Sequence, residues 1–585
     1  MFAKLKRPVL LIPVSLIILG LLAHFTSLRA WNAFIGYRPP YRASNSEAVP
    51  LPSLARHVYI VLVDGLRYDQ SREMKFLNEL RRRGTDVLSR VGLPSLSLPG
   101  RAVMMTGAWQ EIHGQLTNFN ARPLPVETIF QVARKRNLRT ALEAGTNAQK
   151  MFFPHADEII PLPSPDGHRL EKDIARGERE LHQAAAAARE LIRTKHPDFF
   201  LMDFTMTDEV AHDFGAVSPQ YARAAEVTDE EIRVLAATID LSEVVLMVTS
   251  DHGHVDRGGH GGDEPDVMTV PWVMAGKGIR AGVALLGRQI DLAPTVAALL
   301  GTEIPAENEG VILTDALQID EPAKVGLLDQ LFQQRKRLSD ACLSIVKGAP
   351  SRAFTQEPSD KTVPSLEAAL DKLDAETQAA KQERIAREPG ARLRWVLPLA
   401  LLPIAGILFY LRRRWITFRE LLYGFCAVGI YWIVYFVLFE SAHMAYSFTA
   451  VNVEENLPAF FGKDMFFAAV GWFIAVAVTS GLMRRQQTSE MQEGRGPFPE
   501  GTMSGFSYAA AGLIAFSVLI KVCVEYWRYG LFVRWYIPNL HWGFGIYLDL
   551  LQLVILGYIA WLSPLAAWVG VKLVPGPKRM APMVS

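Results

Sequence analysis

The sequence predicts an α/β domain built on a mostly parallel sheet with helices on both faces, joined to an all-α membrane bundle. Three observations carry this. Apolar runs of strand length alternate with helix-patterned stretches over residues 56–320, and such alternation builds a parallel sheet covered on both sides. Asp, Ser and His residues stand just past the ends of those runs, where open α/β sheets bind ligands. Long apolar runs are confined to residues 1–30 and 393–573, as expected of membrane spans.

The chain has 585 residues, more than one domain should hold. Its net charge of +1 gives no electrostatic ground for a nucleic-acid partner. Of the three cysteines, Cys342 alone lies in the soluble part, with Cys426 and Cys523 in apolar runs. No disulfide framework is expected, so the soluble domain must be held by its core.

Lys4, Lys6 and Arg7 precede about 20 mostly apolar residues, enough to cross a bilayer. No small-x-small cleavage site follows, so residues 1–30 read as an uncleaved anchor. Residues 31–55, with several Pro and Ser, read as a linker, and 56–320 as the soluble α/β domain.

Val58 to Val63 is a β-branched apolar run, a buried strand. Asp64 ends it and Gly65 permits a tight turn; a turn or cap role for Asp64 fits the same position. Residues 71–84 have helical spacing, with Met74, Phe76, Leu77 and Leu80 apolar. Ser97 stands in a Pro- and Gly-flanked loop that leads into the apolar stretch RAVMMTG. A hydroxyl at a helix N-terminus suits attack on phosphate, since free amides and the helix dipole favour anions. By local sequence alone, an N-cap is the simpler role.

ETIFQVARKRN reads as a helix, LRTALEAG as strand and turn, and residues 171–195 as a long Ala-rich helix with a solvated charged face. Phe199 to Phe204 is another buried strand. Asp208 and His212 follow it four residues apart, on one face of a helical turn. They could bind one metal, although that spacing alone is weak. A helix over 218–238 and a strand over 241–249 lead into VTSDHGHVDRGGHGG. Asp251 and His252 stand past the strand end, with His260 in the Gly-rich loop beyond. This is metal-ligand chemistry or a polar turn, and the stretch alone leaves the two even. PDVMTVPWVMAGKGI reads as a strand and GRQIDLAPTVAALLG as a helix packed on the sheet. Residues 321–392 are polar and helical, with a weak apolar stripe at Leu366, Ala369, Leu370, Leu373 and Ala380, and read as a helical stalk.

Asp64, Asp208, His212, Asp251, His252 and His260 therefore flank three strands and project at one edge of one sheet. Converging without a cation, they would repel or stay unpaired. Two divalent metals with N and O ligands would satisfy them. Two metals with a hydroxyl between them form a phosphoryl-transfer arrangement.

Over about residues 56–312 these motifs resemble the alkaline phosphatase superfamily, in its nucleotide pyrophosphatase/phosphodiesterase branch, together with the related GPI ethanolamine phosphate transferases. VDGLRYD is similar to the first metal motif and PSLSLPGRAVMMTG to the nucleophile loop and its helix. TDEVAH is similar to the Asp-x-x-x-His motif, SDHGH and GGHGG to the late metal motifs, and QIDLAPTVAALLG to the closing helix. The resemblance implies two metals, zinc in kind. Asp64, Asp251 and His252 would hold the metal that activates Ser97, itself a ligand, and Asp208, His212 and His260 would hold the other. Ser97 would form a phospho-enzyme that water or an acceptor hydroxyl resolves. Asn118 would bind a phosphate oxygen, with the Leu98 N–H completing an oxyanion site. His113 and His254 match no ligand position. Two departures stand out. The diesterase branch usually carries Thr as nucleophile, and Ser can do the same chemistry. Ser97-Leu98-Pro99-Gly100-Arg101 also fits the Ser-x-Pro-x-Arg pattern of sulfatases, in which Ser becomes formylglycine; the missing second Asp after Asp64 and the full second ligand set rank that reading second.

Five further spans are expected at about 395–411, 418–439, 465–483, 505–527 and 545–572, within a bundle over 393–573. Arg412, Arg413 and Arg414, then Arg484 and Arg485, then Lys578 and Arg579 fall on the same side as Lys4, Lys6 and Arg7. By the positive-inside rule both termini, including the tail 574–585, are cytoplasmic and residues 31–392 lie outside; Arg528 and Arg534 run against the bias. Lys521, Glu525 and Asp549 are charges within spans, functional or snorkelling to the interface. The aromatic outer loop WRYGLFVRWYIPNLHWGFGIY could meet a lipid head group. The sequence thus points to a membrane-bound phosphodiesterase or phosphotransferase, with a lipid-linked phosphodiester as a candidate substrate. A sulfatase, a phosphoethanolamine-type transferase and a binding domain on a transporter-like bundle are the alternatives.

Overall fold

A computed structural model describes residues 11–43, 52–163, 172–492 and 502–573. Lys4, Lys6, Arg7, Lys578 and Arg579, the linker over 44–51 and the tail 574–585 lie outside the described residues.

The sheet has eight strands: β1 (His57–Val63), β2 (Thr85–Arg90), β3 (Thr140–Ala144), β4 (Glu158–Pro161), β5 (Phe199–Phe204), β6 (Val244–Thr249), β7 (Thr269–Gly276) and β8 (Val283–Arg288). Their order is β4-β3-β5-β1-β6-β7-β2-β8. β7 is antiparallel to both its neighbours, β6 and β2, and the other pairings are parallel. The sheet is thus mostly parallel, as the alternation predicts. Side chains alternate across β1, and both of its faces are buried. Val58, Ile60 and Leu62 join a core with Ile129, Val132 and Val296, while Tyr59, Val61 and Val63 join another with Leu181, Val210 and Ile232.

Sequence reading misses β2, β4 and β8. β4 and β8 are edge strands, and β8 is nowhere fully buried. β2, TDVLSR, buries only alternate residues. β2 and β4 form no continuous apolar run, and in β8 the run VALL is half exposed.

The helix Glu321–Lys347 does not stand off the domain. Leu327, Leu328, Leu331 and Phe332 enter the sheet's own core together with Leu366, Leu370 and Leu373. The second helix, Val363–Arg412, then runs 50 residues from that core into the apolar region.

Among the described residues, six helices are long and apolar enough to cross a membrane, lying within Leu11–Ile35, Val363–Arg412, Phe418–Ser441, Glu454–Glu490, Met503–Tyr529 and Leu540–Leu573. The chain is an integral membrane protein. Lys521 does not snorkel: its ammonium pairs with Asp549, which is fully buried, and lies 3.3 Å from Glu525 Oε1. Between Phe418–Ser441 and the helix Leu457–Gln492, residues 442–456 leave the bundle and climb to the sheet edge through two short turns, Phe448–Val451 and Glu454–Asn456. That loop meets the candidate site.

Candidate active site

β5, β1 and β6 are adjacent, with Val63 opposite Phe204 and Leu62 opposite Thr249. Their common register delivers Asp64, Asp208 and Asp251 to one edge. Asp64 follows β1 directly. The helix Met206–Phe214 starts after β5 and presents Asp208 and His212 one turn apart, His212 Nε2 lying 3.3 Å from Asp208 Oδ2. Asp251 and His252 follow β6, and the loop beyond returns His260, whose Nε2 lies 3.6 Å from Asp208 Oδ1. The His252 and His260 rings stack at 3.6 Å. All six expected ligands come together.

Ser97 opens the helix Ser97–Thr106 as its first residue, but makes no cap. Its Oγ instead lies 3.1 Å from His252 Nε2, which corrects the N-cap reading. Gly100 explains the close approach: a Cβ there would lie 2.9 Å from Asp251 Cβ. Asn118 Oδ1 accepts the Leu98 N–H at 2.8 Å. The Leu98 amide is thus already engaged, and the Asn118 Nδ2 group is the donor left for a phosphate oxygen.

Three residues enter that were not among the expected site residues: His254, set aside as matching no ligand position, Arg101, noted only in the Ser-x-Pro-x-Arg pattern, and Asp203. His254 Nε2 is 2.8 Å from Asp208 Oδ1, and His254 groups with Asp208, His252 and His260 within metal-binding reach. Arg101 lies one turn after Ser97. It bonds Asp203 through Nε at 2.9 Å and Nη2 at 2.7 Å, and reaches Asp251 Oδ2 and Asp64 Oδ2 at 2.6 Å each. Asp203, inside β5, is the third carboxylate. The four-residue spacing of Ser97 and Arg101 was the available signal for Arg101. His113 is buried away from this cluster, and burial pushes it down to about 3.

The electrostatics follow from burial and charge. Burial, then the neighbouring Asp64 charge, raises the Asp251 carboxyl well above the usual range. Burial works against the ionised Asp208, but His212 and His254 hold it well below that range. Burial also opposes charge on His212, yet Asp208 raises it to about 9. Burial lowers His252 and His254 to about 4, so both rings are neutral.

These residues fit divalent metals. Asp64 Oδ1 is buried with no hydrogen-bond partner. Asp64, Asp251 and His252 form one ligand group and Asp208, His252, His254 and His260 a second, with the mixed N and O donors that suit zinc and similar ions.

Residues 58–262 match the sequence model of the family described as type I phosphodiesterase / nucleotide pyrophosphatase. The match takes in β1, β5, β6 and the loops that carry the site residues, and marks this stretch as a phosphodiesterase-type domain. GPI ethanolamine phosphate transferase 1 of Mus musculus is 21% identical over 421 residues, covering 60% of this chain and 45% of its own length. GPI ethanolamine phosphate transferase 3 of Schizosaccharomyces pombe is 29% identical over 325 residues, covering 50% and 34%. The chain thus spans less than half the length of these relatives. Among solved structures, murine ectonucleotide pyrophosphatase / phosphodiesterase 5, an inactive variant in complex with AMP, aligns with a TM-score of 0.37 at 13% identity, covering 45% of this chain and all of that one.

A cavity of 330 Å³ opens on the candidate site. Ser97, Asn118, Asp208, His212 and His260 line one side, and Phe448, Asn452, Glu454 and Glu455 of the bundle loop line the other. Glu454 Oε1 accepts the Asn118 N–H at 3.2 Å. An apolar cleft of 60 Å³ lies against it, lined by Trp31, Phe34, Gly543, Phe544 and Tyr547. Phe448 borders both spaces, stacked on Phe34 and packed on Phe544.

Proposed function

We propose that this chain is a membrane-bound two-metal phosphodiesterase or phosphotransferase that works outside the cytoplasm through a phosphorylated Ser97, on a lipid-linked phosphodiester. The observation that carries it is Ser97 Oγ, 3.1 Å from His252 Nε2 at the mouth of the ligand cluster. Asp64, Asp251 and His252 would hold one ion beside Ser97, and Asp208, His212 and His260 the other, with His254 adjoining. Bound there, the ions supply Lewis-acid stabilisation and a more acidic Ser97 hydroxyl.

Ser97 Oγ gives up its proton and bonds to phosphorus as the bond to the leaving oxygen breaks, and the leaving oxygen takes up a proton. Water or an acceptor hydroxyl then loses its proton and attacks phosphorus, the Oγ–phosphorus bond breaks, and Ser97 Oγ is reprotonated. Asn118 Nδ2 holds a non-bridging oxygen through both steps. Arg101 keeps Asp64 and Asp251 in place beside the nucleophile.

The lipid-linked reading is supported by the apolar cleft next to the catalytic cavity, at the ends of the Leu11–Ile35 and Leu540–Ile559 helices. The relatives' names support transfer of a phosphoethanolamine-type group. Glu209, Glu454 and Glu455 line the cavity and would complement an amine on that group. The basic clusters that flank the spans on one side support cytoplasmic termini.

The test is a panel of aryl phosphodiester, phosphomonoester and sulfate ester, run on the metal-loaded full-length protein and on Ser97→Ala. Diester turnover that vanishes in the variant supports the reading. Sulfate-ester turnover with formylglycine at position 97 by mass spectrometry overturns it in favour of the sulfatase.

A further inference from the structure

Asn452 belongs to the membrane bundle, yet it grips a residue of the catalytic domain at two points. Its Oδ1 lies 3.0 Å from His212 Nδ1, and its Nδ2 donates to the His212 carbonyl at 3.1 Å. The chemistry fixes the orientation. A carbonyl only accepts, so the amide NH2 must face it, and Oδ1 is left for Nδ1. Nδ1 must then carry a proton, so Nε2, on the Asp208 side of the site, is the nitrogen available to ligate. Partners that hold the second nitrogen of a ligating His set its tautomer and ring angle.

The surroundings are shaped for this reach. Asn452 is held at φ 68°, a region that side chains seldom adopt. Such an outlier persists only where its surroundings over-determine it, and often marks function. The loop around it is pinned. Thr449 Oγ1 accepts the Gly262 N–H at 2.9 Å and donates to Glu264 Oε2 at 2.8 Å. The glycines flanking His260 leave room for it: a Cβ on Gly259 would lie 2.4 Å from the Thr449 carbonyl, and one on Gly261 would lie 2.8 Å from Phe448 Cβ. The Gly-rich stretch is therefore the seat of a membrane-domain loop as well as the carrier of His260.

We propose that Asn452 is a positioning residue for His212, so that the membrane bundle completes one of the two metal sites. The inference rests on the reading of His212 as a metal ligand. It gives the multi-span bundle a part in the site beyond anchoring.

The test uses full-length protein in detergent, loaded with zinc and dialysed against graded chelator, with metal per chain read by mass spectrometry. Asn452→Gly removes the amide and suits the positive φ, so the fold should hold. Expected are two ions in the wild type and, in Asn452→Gly, a loss of affinity of about 10–100-fold at one ion only. Asn452→Asp, which still accepts from Nδ1, should restore most of it. Two ions held at wild-type affinity in a folded Asn452→Gly protein would overturn the inference and leave the metal reading standing. A wild type that retains no metal would overturn the metal reading itself, and the inference with it.

Discussion

Arg101 and Asp203 meet in a two-pronged pair at the floor of the site, Nε to Oδ2 at 2.9 Å and Nη2 to Oδ1 at 2.7 Å. Both are buried, and the same guanidinium also holds Asp64 and Asp251. One fixed cation thus offsets part of the negative charge of three carboxylates. A buried charge left with no partner costs about 3–5 kcal/mol; Asp203→Asn breaks the two-pronged pair but leaves Arg101 on Asp64 and Asp251, so the cost is smaller. Asp203→Asn should therefore lower the melting temperature of the metal-free protein below wild type. Added zinc should recover part of the loss, because an ion that binds only the folded state stabilises it. An unchanged melting temperature without metal would show that the pair does no such work.

The parts of the site that could be read from the sequence are those set by local pattern. β1, β5 and β6 are continuous apolar runs with their functional residues just past the end, so Asp64, Asp208, His212, Asp251 and His252 could be placed at one edge from the chain alone. The residues that escaped are set by tertiary partners. Asp203 looks like one polar residue in a buried strand until Arg101 reaches it. His254 looks like a spare histidine until the loop folds it onto Asp208. Asn452 is 240 residues from His212 and lies in a different domain, so no spacing rule could join them. The edge strands β4 and β8 and the alternating strand β2 escape for the same reason: sheet neighbours, not their own pattern, hold them in place.

The cleft beside Phe448 gives a prediction that separates lipid from soluble substrates. A Cβ on Gly543 would meet nothing within 4 Å, so a larger side chain fits without strain. Gly543→Leu should fill the cleft and displace a chain lying there. Two displaced methylenes at about 0.8 kcal/mol each amount to roughly tenfold in affinity. The KM for a long-chain lipid phosphodiester should rise by about that factor, while bis-aryl phosphate turnover stays at the wild-type level. An equal effect on both substrates would remove the cleft from the account.

Glu143 gives a pH prediction. Both of its carboxylate oxygens are buried without a partner in β3. Burial first, and the Asp203 charge second, raise its pKa well above the usual range. The sign follows from linkage. The folded pKa exceeds the unfolded value of about 4.3, so Glu143 costs nothing below that pH. Stability then falls as pH rises toward the folded value, by up to about 1.4 kcal/mol per unit. Glu143→Gln carries no such charge. Its melting temperature relative to wild type should therefore be higher at pH 8 than at pH 5. Equal differences at the two pH values would mean that the carboxyl ionises freely.

The N-terminal helix Leu11–Ile35 is seated by glycine. Gly20 and Gly557 face each other so closely that a Cβ on Gly557 would lie 2.6 Å from Gly20 Cα and 2.6 Å from the Leu16 carbonyl. Small residues at such crossings let helix backbones approach where no hydrophobic drive acts between them. The obstructing atoms are backbone, so no rotamer change relieves the clash, and overpacking of this kind costs about 1–3 kcal/mol. Gly557→Leu should therefore lower the melting temperature of the full-length protein. Gly429→Leu is the matched control, in a span where an added Cβ meets nothing within 4 Å. It should leave the melting temperature unchanged or slightly raised, since Leu favours helix over Gly. If both substitutions behave alike, the N-terminal helix is not packed on Leu540–Ile559 and the bundle is assembled differently.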